Sequence, residues 1–238
     1  MCLALITPTG GRPKQIRLCA EWMRKQTYTG NVLWVIIDDC SPTTTEFIKG
    51  DLRENWTIIK VYPEPKWREG QNTQSRNLLA GVNVVKKYEN ISAIFIIEDD
   101  DYYSPEYLQE MVNKLDGHVA AAQTNTVYFN LQSFTLKRHT NTKHGSLFQT
   151  GFTFDVLPVF ENATKRNVQF IDIQFWKLLK NKPVNLFTVQ NNLAVGIKAM
   201  QGRKGIGNGH ITRSVNTNKV QGFLSLKKLI GKDYLHYI

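Results

Sequence analysis

The sequence predicts an α/β protein built on an open, mostly parallel sheet flanked by helices. Three observations carry that expectation. Short β-rich runs alternate with longer helical patterns through the first half, two of the apolar runs end abruptly in acidic residues, and 238 residues suffice for one large α/β domain. With 42% hydrophobic and 21% charged residues, the composition is that of a folded chain rather than a disordered one.

Taken in order, LALIT (3–7) reads as a buried strand, and KQIRLCAEWMRKQ (14–26) sets Ile16, Cys19, Ala20 and Met23 at helical spacing. NVLWVIID (31–38) and WTIIKVY (56–62) are the next strands, NTQSRNLLAGVNVVKKY (72–88) a helix, and ISAIFII (91–97) a fourth strand. SPEYLQEMVNKLD (104–116) reads as a helix with Ser104 as N-cap and Pro105 in its first turn. Beyond it the crossovers lose their regularity. HVAAAQTNTVYFN and SFTLKR read as strands, HTNTKHG (139–145) joins them to SLFQTGFTF, QFIDIQFWKLLKN (169–181) is an amphipathic helix, and LFTVQNNLAVGIKAM (186–200) is extended. No repeat or linker interrupts 1–238, so a single domain is expected, with halves 1–115 and 116–238. The glycine-rich basic stretch at 200–214 is expected to be mobile.

The run Glu98, Asp99, Asp100, Asp101 follows the fourth strand directly. Consecutive carboxylates repel one another and raise their own pKa values unless something offsets the charge. A hard cation such as Mg2+ or Mn2+ removes that penalty, using one or two carboxylates and substrate phosphates as ligands. The plainer alternative is an exposed acidic turn before a helix. The buried strand in front of the run argues for the metal, because the C-terminal edge of an open parallel sheet is where ligands bind. Asp38 and Asp39 end the second strand in the same way. Two acidic strand ends leave an in-line nuclease or polymerase open beside nucleotide chemistry.

Four stretches decide between these in combination. ITPTGGRP (6–13), VIIDDCSP (35–42), GQNTQSRNLLAG (70–81) and IIEDDDYYSP (96–105) occur in an order that resembles GT-A glycosyltransferases of the family 2 type. The resemblance implies the GT-A fold and a nucleotide-sugar donor, with Thr7, Pro8, Thr9 and Arg12 lining the nucleotide pocket. It implies that Asp38 or Asp39 holds the uracil and ribose, and that Arg76 lies against the nucleotide. Asp100 becomes the direct metal ligand, with Asp101 close by and Glu98 at the family's first acidic position, where Asp is more usual. Asp99 is grouped with the donor site but is expected to point away along the strand alternation.

The second half matches more weakly. Gly151 in SLFQTGFTF corresponds to a small-residue strand beside the donor sugar, where it allows close backbone approach. Asp172 stands on the helix that in the family provides a catalytic base, although Ile171 replaces the usual first acid; a helix-start residue favoured by the dipole is the competing reading. In QGRKGIGNGH (201–210) basic residues including Lys204 and glycine N–H groups suit a loop folding over a diphosphate; the resemblance to GT-A enzymes with a late histidine implies that His210 completes a metal sphere, an ordinary polar residue being the competing reading. The glycine spacing fits neither a P-loop nor a dinucleotide fingerprint.

Three cysteines without CxxC spacing, Cys2, Cys19 and Cys40, argue against a disulfide framework or thiolate zinc site. No stretch approaches the roughly 20 apolar residues of a membrane helix, no amphipathic anchor is recognised, and the N-terminus lacks signal-peptide character. A cytoplasmic protein without integral membrane association is therefore expected. The net charge of +10, with basic residues concentrated at 137–144 and 198–213, suits either a polyanionic partner such as nucleic acid, anionic membrane or a phosphorylated substrate, or a solvated basic face. The opening ITPTGGRP and GIKAMQGRKGIGNGH are similar to small soluble phage-borne glycosyltransferases, some acting on hydroxymethylated DNA bases, which implies duplex DNA along those segments and a host cytoplasm. An extruded base would then sit among Tyr128, Phe152, Phe175 and Trp176, all of which also suit a core. A surface glycan or lipid-linked sugar is the other acceptor class. A sugar nucleotidyltransferase or a non-catalytic nucleotide-binding protein remains the alternative of another kind.

Overall fold

A computed structural model describes residues 2–48, 52–200 and 219–237. The chain runs β1 (Cys2–Thr9), α1 (Pro13–Arg24), β2 (Asn31–Asp38), β3 (Trp56–Val61), α2 (Gln74–Val85), β4 (Ile91–Ile96), β5 (Tyr102–Tyr103) and α3 (Tyr107–Leu115). There follow β6 (Ala120–Gln123), β7 (Asn125–Asn130), β8 (Thr135–Thr140), β9 (Thr150–Thr153), α4 (Leu157–Lys165), α5 (Ile171–Leu178), β10 (Val184–Phe187), β11 (Ala194–Lys198) and α6 (Lys219–Ile230). A 3-10 turn over Gly231–Tyr237 closes the described chain.

Seven strands form the main sheet in the order β10-β6-β9-β4-β1-β2-β3. β1, β2, β3 and β4 are parallel, while β9 runs antiparallel to both β4 and β6. The alternation of β1 explains the layering. Leu3 and Leu5 face one apolar cluster containing Ile16, Trp22, Phe95 and Met111, whereas Ala4 and Ile6 face the other, with Leu78, Val82, Phe160 and Phe175. Helices α1 and α3 thus cover one face, and α2, α4 and α5 the other, as a strand buried on both sides requires. Gly81 lets α2 lie close on that second face: a Cβ there would stand 2.5 Å from Ile6 Cγ2.

A second sheet, β5-β11-β7-β8, stands beside the first. It corrects three expectations. The stretch 118–130 is not one strand, because Ala120–Gln123 joins the main sheet and Asn125–Asn130 the second. Likewise 186–200 splits into β10 and β11, one in each sheet. The helix after the acidic run begins at Tyr107, not at Ser104. Ser104 spends its backbone N–H on Leu193 O at 2.8 Å, extending the β5–β11 pairing, and its hydroxyl caps nothing. Helix α6 is a further finding, since the sequence pattern assigns no element there. Among the described residues no helix is long and apolar enough to cross a membrane. The expected mobile stretch, apart from Met200, lies outside the described residues.

Candidate active site

The chain builds β2 and β3 on one side of β1 and then crosses to place β4 on the other. The crevice beyond the C-terminal ends of β1 and β4 is therefore the topological switch point, where open α/β sheets bind ligands. From the β1 end, Gly11 takes φ +64°, a left-handed turn that a side chain resists, and delivers Arg12 to the head of α1. The guanidinium reaches Asp99 Oδ1 at 3.1 Å and Asp100 Oδ2 at 2.5 Å. Thr9 donates its hydroxyl to Asp99 Oδ2 at 2.6 Å. Asp99 is 1% exposed. It does not point away into irrelevance, as the strand alternation predicts: it points inward and locks the β1 loop to the β4 end.

Two of the expected pocket residues face elsewhere. Thr7 is fully buried and accepts a hydrogen bond from Trp34 Nε1 at 2.9 Å, so its hydroxyl belongs to the core between β1 and β2. Asp38 accepts from the backbone N–H of Cys40 and Thr44 and from the hydroxyls of Thr44 and Thr45, at 2.6 to 3.2 Å. Its carboxylate shapes the loop after β2 rather than presenting itself to a base. Pro8 remains half-buried at the strand end. Asp39, also buried, accepts at Oδ2 from Thr73, from Arg76 at 3.1 Å and from Asn77 at 2.8 Å, tying β2 to the start of α2. The same Arg76 donates to Pro65 O at 2.5 Å, so its guanidinium folds back over the β2 end instead of standing on an open helix face.

Glu98, Asp100 and Asp101 bring one carboxylate oxygen each within 4.8 Å of one another. Gln74 of α2 reaches Glu98 at 3.2 Å. The second sheet contributes the other half of the site. Pairing of β11 with β5 brings the Ile197 N–H to Asp101 Oδ1 at 2.9 Å and Lys198 Nζ to the same oxygen at 3.1 Å. Lys198 also lies over the rings of Tyr128 and Phe148, at 5.6 and 5.9 Å from their centroids. In the sequence Lys198 reads as part of a basic segment tracking phosphates. The structure corrects that: its ammonium is withdrawn onto the acidic cluster.

Charge decides what the cluster can hold. Four carboxylates, Glu98 to Asp101, meet two cations, Arg12 and Lys198, which leaves two negative charges when all are ionised. Burial pushes Asp101 well above the usual carboxylate range, and Asp100 and Glu98 add to it while Lys198 opposes. Burial likewise raises Glu98, and raises Asp99 to about 6 against the pull of Arg12. Burial pushes Asp100 upward too, but Arg12 and Lys198 outweigh it and the net direction is down. Asp101 Oδ2 is buried and receives no N–H or hydroxyl donor, while the Asp101 side chain hydrogen-bonds that of Glu98. Hard oxygen donors gathered within reach of one another, and more carboxylates than cations, fit a divalent cation.

Asp172 stands in the first turn of α5, its Oδ1 accepting the Ile173 N–H at 2.8 Å. Burial raises its pKa, opposed by the Ile173 N–H and by the charge of His144. Its own charge adds to the upward shift of Glu98, so the two carboxylates share one electrostatic environment. Gly151 is explained differently from the expectation. A Cβ there would lie 2.2 Å from the Phe95 ring, so the glycine admits a core aromatic, not a donor sugar. Phe152 and Phe175 pack on Phe160 inside the α4–α5 core, and Trp176 is buried with them. None of the three is open to flank a base; Tyr128, beside Lys198, is half-buried. Lys204 and His210 lie outside the described residues.

The family model of glycosyl transferase family 2 matches residues 4–187, more than half of the chain. The chain belongs to glycosyl transferase family 2. No curated protein matches it. Among solved structures the chain is similar to S. aureus TarS 1-349 in complex with UDP, at a TM-score of 0.59 and 14% identity over 83% of this chain. The UDP-GlcNAc complex of the same protein gives 0.56 at 14% identity, covering 96% of this chain and 71% of TarS 1-349. At such identities the likeness shows the GT-A fold. In the UDP complex this chain spans 60% of TarS 1-349.

Proposed function

We propose that the chain transfers a sugar from a nucleotide sugar, with UDP as the nucleotide, to an acceptor hydroxyl, with the help of a divalent cation. The observation that carries this reading is the under-compensated cluster Glu98–Asp100–Asp101 at the switch point, bounded by Arg12 on one side and Lys198 on the other. Glu98, Asp100 and Asp101 would hold Mn2+ or Mg2+, which when bound supplies positive charge against the diphosphate leaving group. The UDP and UDP-GlcNAc carried by TarS in its crystals support UDP as the nucleotide.

The protein's own groups divide the remaining work. Arg12, fixed by Asp99 and Asp100, keeps a permanent positive charge beside the phosphate path, since its two carboxylate neighbours outweigh the cost of burial. Pro8 and Thr9 form the floor of the β1 loop, and Asp39 with Arg76 borders it from β2. Asp172 accepts the proton of the acceptor hydroxyl as its oxygen bonds to the anomeric carbon; the bond to the diphosphate oxygen breaks and its electrons leave with UDP. Displacement from the opposite side makes the reaction inverting. Burial of Asp172 suits the role, because a raised pKa makes the carboxylate a stronger base.

For the acceptor, a hydroxymethylated base in duplex DNA is supported by Arg138 and Lys143, exposed in the basic segment 137–144 that ends at His144 near Asp172. A glycan or lipid-linked sugar is supported by the withdrawal of Lys198 from the surface. The test is UDP release from a panel of UDP-sugars with manganese, followed by mass spectrometry of hydroxymethylcytosine DNA and of saccharide acceptors. Slow UDP release that disappears in Asp100→Asn is expected. Absence of both UDP release and nucleotide binding overturns the reading.

A further inference from the structure

Helix α6 carries apolar residues on both of its sides. On the inner side Leu226 and Ile230 are buried, the Phe223 ring meets Phe134 at 5.2 Å, and Gly222 lies so close to Phe134 that a Cβ would stand 2.5 Å from it. The 3-10 turn that follows is anchored as firmly: Asp233 takes Lys25 Nζ at 2.8 Å and the Tyr102 hydroxyl at 3.2 Å, and Tyr237 stacks on Trp22. The segment is therefore fixed to the body. On its outer side, Val220 and Leu224 lie one turn apart and are 65% and 48% exposed, and Leu235 is 54% exposed. Lys219, Lys227, Lys228 and Lys232 are exposed among them. Asp233, the one acid between 219 and 237, is turned inward onto Lys25.

A helix that packs one side on the body and still shows aliphatic side chains among lysines on the other has an amphipathic outer face left to cover. We propose that the outer face of α6 and the following turn is a peripheral docking surface for an anionic lipid bilayer. Charge complementarity selects the occupant. A second copy of the chain paired about a two-fold axis would set this lysine face against itself, so like charges meet. Nucleic acid would satisfy the lysines while leaving Val220, Leu224 and Leu235 against polar groove edges. A bilayer rich in anionic headgroups offers both surfaces: phosphates and carboxylates for the ammonium groups, and the acyl boundary for the aliphatic tips. Long lysine stems permit the division, since they lie along apolar surface while the charge stays in water. Lys219 differs, its Nζ standing over the Phe134 and Phe223 rings at 5.8 Å from each centroid.

The inference stands apart from the donor site, and the two fail separately. The full chain is sedimented with vesicles of phosphatidylcholine alone and of phosphatidylcholine mixed with phosphatidylserine. Binding to the mixed vesicles that weakens with salt, and none to the neutral ones, is expected. Lys227→Glu with Lys228→Glu lowers the vesicle partition about tenfold or more. Val220→Ser with Leu224→Ser lowers it at constant charge, which separates lipid insertion from simple ion pairing. All four positions are exposed, and UDP release from a UDP-sugar reports whether each variant retains its donor site. Equal binding of wild type and both variants to mixed vesicles overturns the proposal. So does loss of duplex-DNA affinity in the lysine variant with no vesicle binding in the wild type. A dimer in sedimentation equilibrium that Leu224→Ser dissociates, without vesicle binding, assigns the face to a second copy and equally overturns it.

Discussion

Two acidic runs end neighbouring parts of the same sheet, and they are treated oppositely. After β2, Asp38 and Asp39 receive hydrogen bonds from Cys40, Thr44, Thr45, Thr73, Arg76 and Asn77, mostly neutral donors placed by the adjoining loop and α2. After β4, Glu98 to Asp101 receive two cations and few neutral donors, and Asp101 Oδ2 takes no N–H or hydroxyl donor. The same residue type in the same place on a strand thus builds structure in one case and a cluster of excess negative charge in the other. Donor supply makes the difference, not the carboxylate.

The largest effect that tests this contrast is on activity. Removing the divalent cation with EDTA, or replacing Asp100 by Asn, is expected to lower UDP release at least about a thousandfold, since charge on the leaving group then goes unmet. Comparable activity in EDTA would dissolve the distinction between the two runs.

Asp172→Asn is expected to cost about a hundred- to ten-thousandfold in kcat with little change in donor KM. Because burial holds the Asp172 pKa above the ordinary Asp value, the wild-type rate falls as pH drops through that raised pKa, where the base becomes protonated. The limb should move upward in His144→Ala, which removes a charge that lowers the pKa, and should vanish in Asp172→Asn. A pH profile unchanged in the His144 variant would separate His144 from the base.

Lys198→Met sharpens the comparison on the stability side. It strips the buried Asp101 of its cation and is expected to cost about 3–5 kcal/mol in urea unfolding without metal. Added manganese should recover part of that loss in the variant. By contrast, Asp38→Ala should lose about 2–3 kcal/mol through its stranded N–H donors, with no recovery by manganese. Equal manganese response in both variants would contradict the division.

The smallest effect comes from an ion pair remote from both runs. Glu161 has its pKa lowered by hydrogen bonds from Lys165 and Lys86, so its contribution is present above the unfolded carboxylate pKa and is lost as pH falls through the lowered one. Lys86→Ala should cost under about 1 kcal/mol near neutral pH and narrow that acid dependence. Thermal melts at two pH values suffice to measure it.

The strand–helix alternation was legible because each element carries its own period. The run LALIT supplies both faces of β1, and the acidic run marks the β4 end without any partner being known. What sequence reasoning missed were groups whose roles depend on strands far apart in the chain. Lys198 sits in a basic segment and carries no local sign of burial; only the β11–β5 pairing brings it to Asp101, 97 residues away. Asp99 was expected to turn outward because strand alternation was carried past Ile96, where the strand has already ended. Thr7 and Gly151 look like pocket residues by motif, yet Trp34 and Phe95 claim their space. Helix α6 lies beyond the last motif and shows its two apolar sides only once the inner one is seen packed on Phe134.

By itself the sequence determined the α/β class, the positions of the first core strands along the chain and the presence of acidic strand ends, because periodicity and local charge are properties of neighbouring residues. Only the tertiary structure decided which carboxylates are satisfied and which are left in excess. Donors such as Thr9, Arg12, Asn77 and Lys198 come from different elements, and the charge they leave unbalanced exists only where those elements meet.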